Sequence, residues 1–258
     1  MNGNKIIVAL DVETAREARQ IIEELRGEVG AFKIGLQLFT SAGASLVREA
    51  AAMNVKVFLD LKFHDIPNTV ARASIEAARM GVWMFNVHAF GGGEMMRRTV
   101  DAVREVCAKE NLSAPKIIAV TVLTSSNQED LRAVGIRTDI EQLVVNLARF
   151  ASDCDLNGVV ASPREVRAVR QAVRDEKFLI VTPGIRNRES KVECREKEND
   201  FETYDDQKRV MSAGDAARSG ADYLGVGRPV LQAENKVEAA RRILEEFKQG
   251  TQNSIRKN

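Results

Sequence analysis

The sequence predicts a single-domain α/β protein, a (β/α)8 TIM barrel, on three observations. Eight short apolar runs alternate with longer stretches in which apolar residues recur at three and four. The runs are apolar throughout rather than alternating, as strands of a parallel sheet buried on both faces are. Charged and small polar residues gather just where those runs end, which is the end of a barrel that carries chemistry. An open doubly wound sheet is the alternative. Eight β-then-α units in 258 residues favour closure.

In order, a strand over 5–10 ends in Asp11 and is followed by a helix over 14–25. A strand over 31–34 carries Lys33 and precedes a helix over 41–53. The third, 56–61, runs into Asp60 and Lys62 before a helix over 68–80. The fourth, 82–88, ends in His88, with a helix over 93–109. The fifth, 116–122, leads to Thr124 and Ser125, and a helix over 139–154 follows. Ser162 follows the sixth strand, 158–161, and a helix spans 163–174. The seventh, 178–181, leads to Pro183-Gly184-Ile185-Arg186, with a helix over 212–219; the eighth, 222–226, leads to Gly227-Arg228 and a helix over 235–249. No Pro/Gly/Ser linker divides the chain, so residues 1–250 are expected to form one barrel and 251–258 a C-terminal tail.

Composition narrows the function classes. The 38 Lys+Arg nearly cancel 37 Asp+Glu, leaving a net charge of +1, whereas nucleic-acid and anionic-membrane surfaces need a large field of one sign. Neither partner is expected. The opening MNGNKIIVALDV is neither a secretory signal nor a span, so a cytoplasmic protein is expected. Cys107, Cys154 and Cys194 are odd in number and widely spaced, which disfavours disulfides and a thiolate metal site.

The densest polar cluster is Asp60-Leu61-Lys62-Phe63-His64-Asp65. On an extended segment Asp60 and Lys62, two apart, would point to one face. A lysine buried among carboxylates stays cationic, because opposite charge outweighs desolvation; it is then a proton donor and not an amine nucleophile. The bland reading of D-x-K-x-x-D is a solvated ion-pair patch. Its place after the apolar run 55–59, with Lys33 at the comparable end of the preceding strand, favours a site.

The stretch Val57-Phe58-Leu59-Asp60-Leu61-Lys62-Phe63-His64-Asp65-Ile66-Pro67-Asn68-Thr69 resembles the signature of the orotidine 5'-phosphate decarboxylase family, of the ribulose-phosphate-binding barrel type. Collinear matches support it: Ala9-Leu10-Asp11, Phe32-Lys33-Ile34-Gly35, Leu123-Thr124-Ser125, Thr182-Pro183-Gly184-Ile185-Arg186 and Gly225-Val226-Gly227-Arg228-Pro229. The resemblance implies decarboxylation of orotidine 5'-phosphate to UMP without metal or cofactor. It implies Lys62 as proton donor to C6 within a charged array of Lys33, Asp60, Lys62 and Asp65, the last drawn from the partner subunit of a homodimer with shared active sites. Asp11, Lys33 and the neighbourhood of Asp60 would hold the ribose. Ile66 and Thr69 would approach from across the interface. Thr124 and Ser125 would face the pyrimidine, Pro183 would border the substrate, and Arg186, Gln207, Gly227 and Arg228 would bind phosphate.

Other motifs read as structural. His64 and His88 are expected to orient or pack rather than catalyse, and without a carboxylate at ligand spacing zinc is not expected. Gly91-Gly92-Gly93 lacks a Walker lysine and reads as a strand-to-helix turn; Met80, Met84, Met95 and Met96 read as core or interface. The charge run after Arg186 reads as a solvated inserted loop, which makes the assignment of Gln207 rest on Asp205-Asp206-Gln207-Lys208-Arg209. Two rivals remain: a magnesium-dependent phosphosugar barrel sharing D-x-K-x-x-D, and a catalytically silent nucleotide-binding barrel.

Overall fold

The computed structural model describes residues 4–185 and 210–255. Strands β1 (Ile6–Ala9), β2 (Ala31–Gly35), β3 (Val57–Phe63), β4 (Met84–His88), β5 (Lys116–Val120), β6 (Gly158–Val160), β7 (Leu179–Thr182) and β8 (Tyr223–Val226) form a closed parallel barrel in chain order. Closure is made by β1 on β8, with Ile6 opposite Leu224 and Val8 opposite Val226. All eight expected runs are strands, and the closed barrel replaces the open-sheet alternative.

The helices are α1 (Ala15–Leu25), α2 (Leu36–Ala52), α3 (Pro67–Arg79), α4 (Gly92–Glu110), α5 (Gln128–Ala133), α6 (Ile140–Ser152), α7 (Val166–Ala172), α8 (Ala213–Ser219), α9 (Arg228–Leu231) and α10 (Lys236–Ile255). Several starts are fixed by side-chain caps: Thr14 accepts from the Glu17 N–H, Asp139 from Glu141 and Gln142, and Ser212 from Asp215. The short α5, absent from the sequence expectation, begins in a reciprocal capping box between Asn127 and Asp130. Helix α2 starts five residues earlier than expected and is broken at Gly43, whose φ of 69° and ψ of −169° lie outside the helical region. Helix α7 is shorter than expected. The last helix passes Gly250 and continues to Ile255, with the Thr251 hydroxyl donating to the Phe247 carbonyl at 3.1 Å, so much of the expected tail is helical.

The period-two alternation of each strand separates two apolar compartments. One lies between sheet and helices and includes Val8, Leu10, Phe32, Leu59, Phe85 and Val87. The other fills the barrel: Ile7, Ala31, Phe58, Met84, Ile118 and Val181. At the N-terminal end of the strands the barrel is plugged by Trp83 packed edge-on against Tyr223, ring centroids 5.3 Å apart. Lys56 lies over the Trp83 ring and Lys5 over Tyr223, at 5.2 and 4.9 Å. The ammonium groups face the negative ring faces while their stems cover apolar surface.

Candidate active site

A cavity of about 290 Å3 opens at the C-terminal end of the strands. Its floor is apolar, from Ile7, Phe58, Val120, Val160 and Val181, and its polar lining is Asp11, Lys33, Asp60, Lys62, Thr124 and Arg228. The lining residues of β1, for instance, are Ile7, Ala9 and then Asp11, the inward positions of one strand extended by two. The same alternation places Lys33 two beyond Ala31 and Asp60 two beyond Phe58.

These side chains form one row of alternating charge. Lys33 Nζ lies 3.4 Å from Asp11 Oδ1 and 3.2 Å from Asp60 Oδ2, and Lys62 Nζ lies 2.8 Å from Asp60 Oδ1. The middle of the row is its most buried part: the side chains of Lys33 and Asp60 are 18% and 13% exposed, those of Asp11 and Lys62 at its ends 61% and 32%. Burial acts most strongly on Lys33 and alone would lower its pKa, but the charges of Asp60 and Asp11 and their hydrogen bonds outweigh it and hold the ammonium above its ordinary value. Burial likewise pushes Asp60 up, and Lys33, Lys62 and the hydrogen bonds from Lys62 and Asn86 bring it below the usual carboxylate range. Asp60 is therefore an anion flanked by cations throughout the neutral range.

Asp60 and Lys62 do not share the pocket for the reason the sequence suggests. Leu59 pairs with Phe85 but Phe63 pairs with Val87, so β3 spends four residues where β4 spends two, and the segment between is bulged. Lys62 takes φ = 51°. The other described non-glycine residues at positive φ are Asn54, Asn111 and Asp155, types that tolerate that region; for a lysine it costs about 1–2 kcal/mol. The strain turns the lysine back over Asp60. The Lys62 N–H, displaced from the ladder, donates to Asn86 Oδ1 at 2.8 Å, and Asn86 Nδ2 donates to Asp60 Oδ1 at 2.7 Å. Asn86, 1% exposed, is a site residue that sequence reading missed. Its signal was present as an amide inside the apolar run of β4.

Of the other expected residues, Thr124, Pro183, Gly227 and Arg228 line the cavity. Gly227 precedes the short α9, whose second residue, Pro229, has no N–H. A Cβ on Gly227 would stand 3.3 Å from Asp11 Oδ2, so a side chain there would crowd the mouth. Ser125 is exposed and lies outside the lining. Asp65, Ile66 and Thr69 are exposed as well, and none lines this chain's own cavity; Asp65 Oδ1 accepts from the Ile66 N–H at 2.6 Å. The charged row in one chain thus ends at Lys62 and does not include Asp65. Arg186 and Gln207 lie outside the described residues, whose flanks are joined by a bridge between Ile185 and Met211.

His88 does not line the cavity. It stacks between His64 and Phe90, with centroids 5.2 and 5.5 Å apart. Burial first, then the charges of His64 and Lys62, lower its pKa to about 4, so it is neutral at neutral pH and adds no second cation beside Lys62. Gly91 closes a short 3-10 turn into α4, and Met80, Met84, Met95 and Met96 are buried in the core. Cys107 and Cys154 are buried free thiols, and Cys194 lies outside the described residues. Among the described residues there is no cluster of three His, Cys, Asp or Glu placed to hold a metal, and no helix long and apolar enough to cross a membrane.

Fold and site together define a parallel barrel with an alternating ammonium–carboxylate row in the cavity at the C-terminal end of its strands. Residues 4–243 match the model of the orotidine 5'-phosphate decarboxylase / HUMPS family, and the chain belongs to that family. It is 49% identical over 243 residues to the orotidine 5'-phosphate decarboxylase of Syntrophotalea carbinolica, covering 94% of each chain. It is 48% identical over 247 residues to that of Geobacter sulfurreducens, covering 95% of this chain and 97% of the relative. The crystal structure of orotidine 5'-phosphate decarboxylase from Lactobacillus acidophilus superposes with a TM-score of 0.79 at 31% identity, covering 95% of this chain and 99% of that one.

Proposed function

We propose that this chain converts orotidine 5'-phosphate to UMP and CO2, the last step of de novo pyrimidine synthesis, as a metal- and cofactor-free carboxy-lyase of the cytoplasm. The observation that carries the reading is the continuous row Asp11, Lys33, Asp60, Lys62 inside the cavity. Loss of CO2 from C6 leaves an electron pair in an sp2 orbital that the ring cannot delocalise, so the reaction needs a fixed cation at that atom. Lys62 supplies it. As the C6–carboxylate bond breaks, its ammonium stabilises the pair left on C6 and then transfers a proton to it. Solvent restores the proton.

Asp60, kept anionic by its two lysines, lies beside the position of the substrate carboxylate and disfavours that charge until it leaves as neutral CO2. Both carboxylates of the row are already engaged by ammonium groups, which supports a site that works without a divalent ion. Asp11 and Lys33 hold the ribose, Thr124 and Ser125 the pyrimidine, with Pro183 bordering it. Arg228, the Gly227 amide, Arg186 and Gln207 take the phosphate, whose binding energy aligns the reacting end. The partner is a second copy of this chain. Leu36, Ile66, Phe90 and Leu123, 40–68% exposed, follow the ends of the consecutive strands β2 to β5 and form an apolar arc beside the mouth. An arc so placed suits a two-fold contact that brings Asp65, Ile66 and Thr69 to the neighbouring cavity.

The test is to follow orotidine 5'-phosphate absorbance with purified protein in EDTA. Undiminished conversion to UMP is expected. Activity lost in chelator and restored by magnesium would favour the phosphosugar reading; UMP binding with no turnover would favour a silent binder.

A further inference from the structure

The chemistry of the row does not account for one buried amide. Asn86 lies on β4 between Met84, which fills the barrel, and His88, so its side chain points inward in the layer above the apolar floor. It is not part of the cavity lining and touches no substrate-accessible surface. Burying an amide in that layer is unfavourable unless both ends are bonded, and both are. The donor end reaches the same Asp60 oxygen, Oδ1, that accepts from Lys62 Nζ; the acceptor end holds the Lys62 backbone N–H that the bulge displaced.

We propose that Asn86 is a positioning residue of the decarboxylation, a clamp that fixes the left-handed backbone of Lys62 and the orientation of the Asp60 carboxylate as one unit. The clamp needs one donor and one acceptor at fixed separation, which an asparagine amide supplies at this length without any dependence on protonation. A carboxylate would keep the acceptor for Lys62 but face Asp60 with a like charge. An apolar residue of similar size would fill the space and leave both groups free to turn. The Lys62 side chain would then keep its charge but lose its aim, and misplacement of about 1 Å at a reacting centre costs on the order of 100-fold in rate.

The assignment rests on Lys62 as the acid, so wild type, Lys62→Ala, Asn86→Ala and Asn86→Asp are assayed together with UMP binding and thermal midpoint. Asn86→Ala is expected to lose on the order of 100-fold in kcat with KM and UMP affinity little changed, because phosphate and ribose contacts remain. Asn86→Asp, which preserves shape, is expected to stay active while its carboxyl, held protonated by burial and by the Asp60 charge, donates to Asp60, and to lose activity as pH rises and that carboxyl ionises. In the wild type, hydrogen exchange should show the Lys62 amide protected like an interior strand amide. Wild-type kcat in Asn86→Ala, an Asn86→Asp variant whose kcat keeps the wild-type pH profile up to high pH, or a rapidly exchanging Lys62 amide would overturn the clamp alone. An inactive wild type, or a fully active Lys62→Ala, would instead overturn the functional reading beneath it.

Discussion

Lys62 is held at three points: its ammonium on Asp60, its amide on Asn86, and its backbone in a conformation lysine rarely adopts. Replacing it with alanine removes the donor and leaves the phosphate contacts. Lys62→Ala is expected to lose roughly 1000-fold or more in turnover with UMP affinity, measured by calorimetry, largely intact. Arg228→Ala should do the reverse, raising KM by about 10- to 100-fold through lost charge-assisted hydrogen bonds; an unchanged KM would remove Arg228 from the phosphate site. The row also fixes a pH dependence. The Asp60 pKa is lowered on folding, so its contribution to stability is complete above the unfolded value of about 3.9 and is lost as pH falls through the folded value. The Lys33 pKa is raised, so its contribution is complete below about 10.4 and is lost as pH rises through the folded value. The difference in thermal midpoint between wild type and Asp60→Asn should therefore shrink only when pH is taken below about 4.

At the scale of elements, the strands were legible because burial on both faces leaves a continuous apolar run, and active-end residues stood out as polar groups at or just beyond the end of one. The bulge of β3 was not legible: an extended reading put Asp60 and Lys62 on one face, and two extra residues opposite Phe85 to Val87 leave no trace in apolar spacing. The start of α2 was missed because Leu36 is 56% exposed and breaks the helical stripe, and Gly43 interrupts the pattern again. Helices α5 and α9 have too few turns to show a period. The short α7 is anchored by Arg170, which donates to the Phe178 and Gly220 carbonyls and pairs with Asp222; Asp222 also accepts from the Ile180 N–H. This clamp ties α7, β7 and β8 together at the end remote from the cavity. Arg170→Ala should lower unfolding free energy by about 2–3 kcal/mol, read by denaturant titration, with KM of the remaining folded enzyme unchanged.

At the scale of the molecule, the cavity of one chain holds Asp11, Lys33, Asp60 and Lys62, while Asp65 lies outside it with Ile66 on the exposed arc. If two chains share each site, Lys62→Ala and Asp65→Ala subunits complement one another. Refolding an equal mixture puts both defects in one site of each mixed dimer and leaves its other site whole, so about a quarter of wild-type activity should return. No recovery, with mixed dimers demonstrated, would sink the shared site.

The plug at the closed end makes the protein its own reporter. Trp83 is the only tryptophan in the chain, and its indole sits against Tyr223 and under Lys56, a barrel's length from the nucleotide. Its emission should stay constant when UMP fills the mouth and change when the strands part. One fluorescence trace can thus separate variants that have lost the site from variants that have lost the barrel.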